Sequence, residues 1–307
     1  IPDSVTSIGA WAFSGCSGLA SVTIPDSVTS IGERAFRDCS SLTSIMIPDG
    51  VTSIGRFAFQ SCSGLTNITI PDKVTSIGWS AFQGCSSLAS ITIPFVGASL
   101  DAKKGYDQVF GYIFGYTTKT EDGTTEQYDG YYYYIPSTLC SVTVTSATTI
   151  PQNAFRACSN LASITIGNRA TSIGERAFYY CSRLTSIAIP DGVTSIGSDA
   201  FSGCSGLNAV YITDLAAWCR ISFGDDAVSS DRANPLWYAH KLYLNGELVT
   251  ELVIPDGVTS IMWCAFEGCS GLESIAIPYS VTSVGDYAFY NCSGLTSITI
   301  PDSVTSI

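Results

Sequence analysis

The chain has 307 residues, a formal net charge of −12, and only 13% charged residues against 46% apolar ones. That apolar content excludes a disordered chain, and the acidic balance argues against nucleic acid or an anionic membrane surface as a partner, since both reward Lys/Arg clusters. No apolar run approaches the roughly 18 residues that a membrane span needs.

The stretch IPDSVTSIG stands at residues 1–9 and again at 24–32, and it heads a 23-residue unit written IPDxVTSIGxxAFxxCSxLTSIT. The Ala-Phe pair recurs at Ala12-Phe13, Ala35-Phe36, Ala58-Phe59 and Ala81-Phe82. Within a unit, Leu19-x-x-Val22-x-Ile24 alternates with Ser21 and Thr23, the period-two mark of a strand with one buried face. Pro25-Asp26 then turns the chain, because Pro cannot donate to a ladder and Asp bonds nearby backbone N–H groups. Val28-Thr29-Ser30-Ile31 reads as a second extended piece, and xxAFxxC as a single helical turn that drops Phe36 and Cys39 into the core. One such unit cannot bury enough surface to offset the ordering of its backbone, so coils must stack. Eleven strands are expected, opened by Leu19, Leu42, Leu65, Leu88, Leu139, Leu161, Leu184, Leu207, Val249, Leu272 and Leu295.

The repeat breaks twice. Residues 95–138 form an aromatic insertion holding Tyr106, Tyr112, Tyr116, Tyr128 and Tyr131 to Tyr134. Two β-prone aromatic runs, Val109 to Tyr116 and Tyr131 to Ile135, flank a polar tip from Thr117 to Gln127 and suggest a projecting hairpin. Residues 213–248 read as a helix-loop-hairpin insertion. Asp214 is placed to cap a short helix, Asp225, Asp226 and Asp231 mark an acidic loop, and Asn245-Gly246 suits a type I′ hairpin turn.

Nine of the 12 cysteines occupy one repeat position, from Cys16 to Cys292, and Cys140, Cys219 and Cys264 fall outside it. Stacked copies of one position point in parallel and do not converge as a disulfide requires. They read as free, buried thiols acting as small hydrophobes. Cys264 and Cys269 have no histidine near them in sequence, so no zinc site is expected.

The unit IPDSVTSIGxxAFxxCSxLTSIT closely resembles the BspA-type leucine-rich repeat over everything outside the two insertions. The resemblance implies a single repeat solenoid over residues 1–307, a right-handed leucine-rich-repeat superhelix carrying a parallel β-sheet with short extended and single-turn helical segments. It also implies an extracellular or cell-surface bacterial protein with a role in adhesion, and no catalytic residues to carry over. Both ends fall inside repeats, at Ile1 and Ile307, which reads as an excerpt of a longer array whose signal and anchor lie elsewhere.

Two features are candidate binding surfaces for a protein or glycan of a host or neighbouring cell. One is the outward strand face, with Ser44, Asn67, Thr69, Ser90 and Thr92 in parallel columns; the competing reading is that Ser and Thr are simply β-compatible. The other is aromatic: Tyr112, Tyr116, Tyr131 and Tyr133 in the first insertion, Trp237 and Tyr238 in the second. If these rings instead shield the solenoid, alternation places Tyr132 and Tyr134 inward and Tyr131 and Tyr133 outward. The turn acids, such as Asp26 and Asp49, read as turn residues, and Glu121, Asp122, Glu126 and Asp129 as solvated loop acids. His240 is the one histidine, and no phosphate, dinucleotide or zinc-protease motif is present, so no cofactor and no enzyme are expected. A non-enzymatic interaction scaffold is the leading reading. A passive spacer presenting another domain and a component of a carbohydrate-active enzyme are the alternatives.

Overall fold

Alternation in Leu-x-x-Val-x-Ile gives each segment one buried and one outer face. The computed structural model describes residues 1–102, 105–118, 124–224 and 233–307, and in it these segments stack coil on coil into a parallel β-solenoid. Asn67–Thr69, Ser90–Ile93, Ser141–Val144 and Ser163–Ile166 pair in that order. Ser186–Ala188, Ala209–Ile212 and Leu242–Leu244 follow, then Glu251–Val253, Ser274–Ala276 and Ser297–Thr299. Two expected strands, opened by Leu19 and Leu42, form no assigned strand among the described residues. One pairing was unexpected: the hairpin strand Leu242–Leu244 also pairs with Ala209–Ile212, so the second insertion supplies a rung of its own.

The Val-Thr-Ser-Ile piece forms a second ladder of two-residue strands, such as Ser30–Ile31, Ser53–Ile54 and Ser76–Ile77. Its threonines do more than meet solvent. Thr29, Thr52 and Thr75 each donate Oγ1 to the carbonyl of the threonine one coil earlier, at 3.1, 3.1 and 3.2 Å. A β-branched hydroxyl here both favours extended backbone and adds a rung-to-rung bond.

The xxAFxxC piece is not a helical turn. The residue before Ala and the residue before Cys are left-handed: Arg34 (φ 53°) and Asp38 (58°), then Phe57 (56°) and Ser61 (59°). Two left-handed residues break the helical pattern and send alternate N–H groups toward the next coil. Arg34, Phe36 and Asp38 donate to the carbonyls of Arg56, Ala58 and Gln60 at 2.9, 2.8 and 2.8 Å. Above this third ladder the phenylalanines stack, Phe13 on Phe36 and Phe36 on Phe59, with centroids 5.2 and 5.4 Å apart.

The repeat cysteines pack beside those rings and also donate. The Sγ atoms of Cys39, Cys62 and Cys85 reach the carbonyls of Phe13, Phe36 and Phe59 at 3.2, 3.1 and 3.2 Å. Every cysteine is free, and all but Cys16 and Cys140 are buried.

Both insertions are built into the coil. Ser90 pairs with Ser141 and Ile91 with Val142, so the sheet passes the first insertion without losing register. The run from Val109, expected as a strand, forms the 3₁₀ helix Phe110–Phe114. It occupies the Ala-Phe slot of one enlarged coil: Phe82 donates to Ile113 and Phe110 donates to Ala154, both at 2.8 Å, and Phe110 lies 5.0 Å from Phe155. That placement demands a turn, which overrides the β propensity of the aromatic run. Beyond it, Tyr116–Thr117, Tyr131–Tyr133 and Thr125–Tyr128 form an antiparallel sheet with Tyr131–Tyr133 in the middle. Residues 119–123, where Glu121 and Asp122 were expected at the tip, lie outside the described residues.

In the second insertion Ser222–Phe223 pairs with Ser195–Ile196, and Gly224 donates to Ile196 at 2.8 Å as Gly197 does to Ile173. Ile221-Ser222-Phe223-Gly224 therefore stands in for Thr-Ser-Ile-Gly. Asp214 caps the helix Leu215–Trp218 by accepting from Ala217 N at 3.0 Å. Asn245 and Gly246, at φ 52° and 88°, turn the hairpin between Leu242–Leu244 and Glu247–Leu248. The acidic loop of Asp225, Asp226 and Asp231 lies outside the described residues. Among the described residues, no helix is long and apolar enough to cross a membrane.

A left-handed conformation costs an L-residue about 1–2 kcal/mol. Gly84 fills without that cost the place that Ser61 holds one coil earlier. Ser61→Gly is expected to stabilise the protein by about 0.5 kcal/mol once glycine's extra unfolded-state entropy is subtracted. A rise in thermal midpoint would show it, and a fall would refute the assignment of strain.

Burial pushes the Cys39 thiol up to about 11 and those of Cys85, Cys204 and Cys219 up to about 12, against about 8.5 for an ordinary thiol. Folding thus favours the protonated form. Its contribution to stability is complete below the ordinary thiol value and is lost as pH climbs toward the folded values. The urea midpoint should hold between about pH 7 and 8 and fall steeply above about pH 9, and alkylation at neutral pH should reach Cys16 and Cys140 first. Rapid neutral labelling of Cys62 or Cys181 would contradict this.

Candidate functional site

The core takes the Leu, Ile, Phe and Cys positions of the inner coils, which leaves two surfaces with individual character. The first is the outward sheet face. Because side chains alternate, Ser44, Met46, Asn67 and Thr69 all stand on its outer side and are exposed. With Ser21, Asp26, Asp49, Pro71 and Lys73 they line a groove of about 960 Å³ across the first three coils. Met46 stands 82% exposed at a place that Thr69 fills one coil later. Ser90 and Thr92 continue the same columns, paired with Asn67 and Thr69 on one side and with Ser141 and Thr143 on the other, and are half-buried. The groove therefore gathers Ser44, Asn67 and Thr69, while Ser90 and Thr92 lie outside its lining.

Further along this face Tyr211 and Tyr243 stack with centroids 4.8 Å apart, and Val253 is 66% exposed. Sequence reasoning did not single these out. Tyr211 and Val253 were legible, since each fills the place that Thr23 holds in the first unit. Tyr243 was not, because its rung has Ala239 where a leucine would announce a strand.

The second surface is the turn side, where the first insertion lies. Tyr133 was expected outward and is fully buried. Its ring packs on Gly111, where a Cβ would sit 2.4 Å from the Tyr133 Cβ, and its hydroxyl donates to the Tyr106 carbonyl at 3.1 Å. Tyr132 and Tyr134 are half-buried, so the expected alternation is reversed in phase at Tyr133. Gln127, expected at the polar tip, is also fully buried. It accepts from Gly111 N at 2.6 Å and donates to the Arg156 carbonyl and the Cys158 sulfur, both at 3.1 Å. Asn234 does similar work in the second insertion, donating to the carbonyls of Cys264 and Ala265 at 2.6 and 3.1 Å. Nothing in the sequence distinguishes these amides from solvated loop residues.

Tyr112 is half-buried against the core; burial there raises its hydroxyl above the ordinary range. Tyr116 and Tyr131 are half-exposed and meet edge to face at 5.0 Å. Trp237 lies parallel to Tyr290 with centroids 6.3 Å apart, and Tyr238 packs on the core. The structure thus separates the aromatic candidates. Tyr133 is internal, Tyr112 and Tyr238 are largely so, and Tyr116, Tyr131 and Trp237 contribute to the surface.

His240 caps the short helix Leu236–Ala239, with Nδ1 2.9 Å from the Gly268 carbonyl. Glu126 and Asp129 flank Arg156 at 4.0 and 3.5 Å. Asp191 accepts from Thr213 Oγ1 at 2.7 Å, which makes this turn acid a bracket between successive coils. Among the described residues, no three His, Cys, Asp or Glu side chains gather as metal ligands.

A family model described as the BspA type leucine rich repeat region matches residues 1–103, 127–221 and 240–307 in six copies. No curated protein matches the chain in sequence. Among solved structures, a leucine-rich repeat protein from Bacteroides ovatus is 25% identical, with 100% of this chain and 73% of that one covered and a TM-score of 0.43. A leucine rich cell surface protein from Faecalibacterium prausnitzii is 28% identical, with coverage of 93% and 70% and a TM-score of 0.40. A leucine-rich repeat protein from Eubacterium ventriosum is 24% identical, with coverage of 93% and 80% and a TM-score of 0.36.

Proposed function

Because the chain belongs to the BspA-type leucine-rich-repeat family, we propose that it is a non-enzymatic interaction scaffold that adheres to a protein of a host or neighbouring cell through its sheet-face groove. The observation that carries this reading is the groove itself, about 960 Å³ over three coils, with exposed Met46 at its centre and Ser44, Asn67 and Thr69 around it. A flexible, polarizable methionine among small polar groups suits an adaptable protein contact. The surrounding Ser, Thr and Asn side chains supply hydrogen bonds without the desolvation cost of charge. Family membership supports an extracellular or cell-surface location in a bacterium.

The test is interferometry against a panel of immobilised extracellular-matrix and cell-surface proteins. Saturable binding to a member of the panel is expected, weakened at least about tenfold, or about 1.4 kcal/mol, by Met46→Glu with Asn67→Arg. Absence of saturable binding across the panel, or binding indifferent to the groove pair, overturns the reading.

A further inference from the structure

The sheet opens where the second insertion rejoins the coil. One sheet ends on the hairpin strand Glu247–Leu248 and the next begins at Glu251–Val253, with no pairing between them among the described residues. Thr250 accepts from Ser274 N at 3.3 Å, and Ile254 donates to the Ala276 carbonyl at 3.0 Å, so both aim their backbone at the following coil. Alternation along a parallel strand then turns the N–H and C=O groups of Glu251 and Val253 the other way, toward the hairpin. The carbonyls at the Val253 place in two other coils, Thr92 and Tyr211, accept from Ile70 and Ile189 of the preceding coil, both at 2.9 Å. The Val253 carbonyl has no such donor among the described residues. Glu251–Val253 is therefore a free strand edge, which is a template for another strand.

The edge borders a groove of about 340 Å³. Leu244, Leu248 and Val253 line it, together with the carboxylates of Glu247 and Glu251. Leu248 and Val253 are exposed. Leu248 pairs with Tyr243, which stacks on Tyr211, and Val253 pairs with Ala276. An apolar row on the outer face thus reaches the groove from both sides.

Charge is one-sided here. From Leu242 to Ile307 the sequence holds seven carboxylate side chains and no lysine or arginine. Glu247, Glu251 and Glu273 are exposed and join no ion pair among the described residues. Lys241 and Arg220, the described bases of the insertion, do not line the groove and pair with none of the three.

These observations select the occupant. An extended peptide carries the alternating C=O and N–H groups that a strand edge needs, and a sugar or a polyamine does not. A second copy of this chain would set its own carboxylates against these. A basic peptide answers both the edge and the field.

We propose that the gap between the hairpin and Glu251–Val253 is a strand-addition site for an extended basic peptide. Its backbone bonds to Glu251 and Val253. On its outer face, two residues apart, it sets an apolar side chain between Leu248 and Val253 and a lysine or arginine beside Glu247 and Glu251. The site lies coils away from Met46 and does not depend on the groove there.

The test is fluorescence anisotropy of the full chain with a labelled probe, Lys-Thr-Val-Thr-Lys-Thr-Val-Thr-Lys, which carries lysine and valine on one face. Saturable binding is expected. It should weaken about tenfold with Glu247→Gln and Glu251→Gln together, or when glutamate replaces the probe's lysines. Val253→Pro removes the free N–H and leaves the bonds to the following coil in place; it should also weaken binding about tenfold, as should N-methylation of the probe's backbone, which leaves this protein unaltered. Met46→Glu should change nothing. Absence of saturable binding, equal binding of the glutamate probe, or binding that survives probe N-methylation overturns the proposal.

Discussion

A single contact recurs through the regular coils and sets the rest: the N–H of an Ala-Phe phenylalanine donates to the alanine carbonyl one coil on, beneath a stack of parallel rings. Phe36 to Ala58, Phe59 to Ala81 and Phe178 to Ala200 all do so at 2.8 Å. The bond needs a backbone that points sideways out of its own coil. That requirement explains the two left-handed residues that bracket it, and it explains why the segment is not helical. It also fixes the spacing between coils, which the sheet, the threonine column and the cysteine donors then follow. A buried carbonyl left without its donor would cost about 1–3 kcal/mol, so any departure from the 23-residue unit has to supply another one.

Both insertions meet that condition in their own way. In the first, Phe110 and Ile113 take the places of phenylalanine and alanine, and Gln127 satisfies the Arg156 carbonyl of the neighbouring turn. In the second, the indole of Trp218 donates to the Ala265 carbonyl at 2.8 Å and Asn234 donates to it at 3.1 Å. The insertions are therefore enlarged coils, and their buried polar groups do locally what a phenylalanine N–H does elsewhere. This is also why Ser90 can pair with Ser141 across 51 residues of sequence.

Period-two alternation and a 23-residue recurrence made the strands, the core columns and the free thiols legible, because each follows from which side of a short segment is apolar. The left-handed pairs were not legible. Their positions hold Arg34, Phe57, Asp38 and Ser61, and no shared residue type announces a shared conformation. The phase of the tyrosine run was misread for a related reason. Alternation says that neighbours in Tyr131–Tyr133 face opposite ways, but only the close approach of Gly111 decides that Tyr133 is the one inside. At the sheet face the outward columns were legible as columns. Their gathering into one groove around Met46 was not, because that depends on how three coils sit together.

The same constraint divides the surface by function. On the sheet face, outward side chains stand clear of the core, so Met46 can stand where Thr69 stands one coil later without disturbing it. On the turn side the backbone is committed to the third ladder, and its left-handed places hold residues as different as Asn153, Arg176, Asp199 and Tyr287. Trp11 and Phe57 occupy two of these places, with the Arg34 guanidinium between their rings. The sheet face is where variation is free. The turn face is where the backbone is constrained, and there Phe57, Trp79, Tyr116 and Tyr131 link ring to ring.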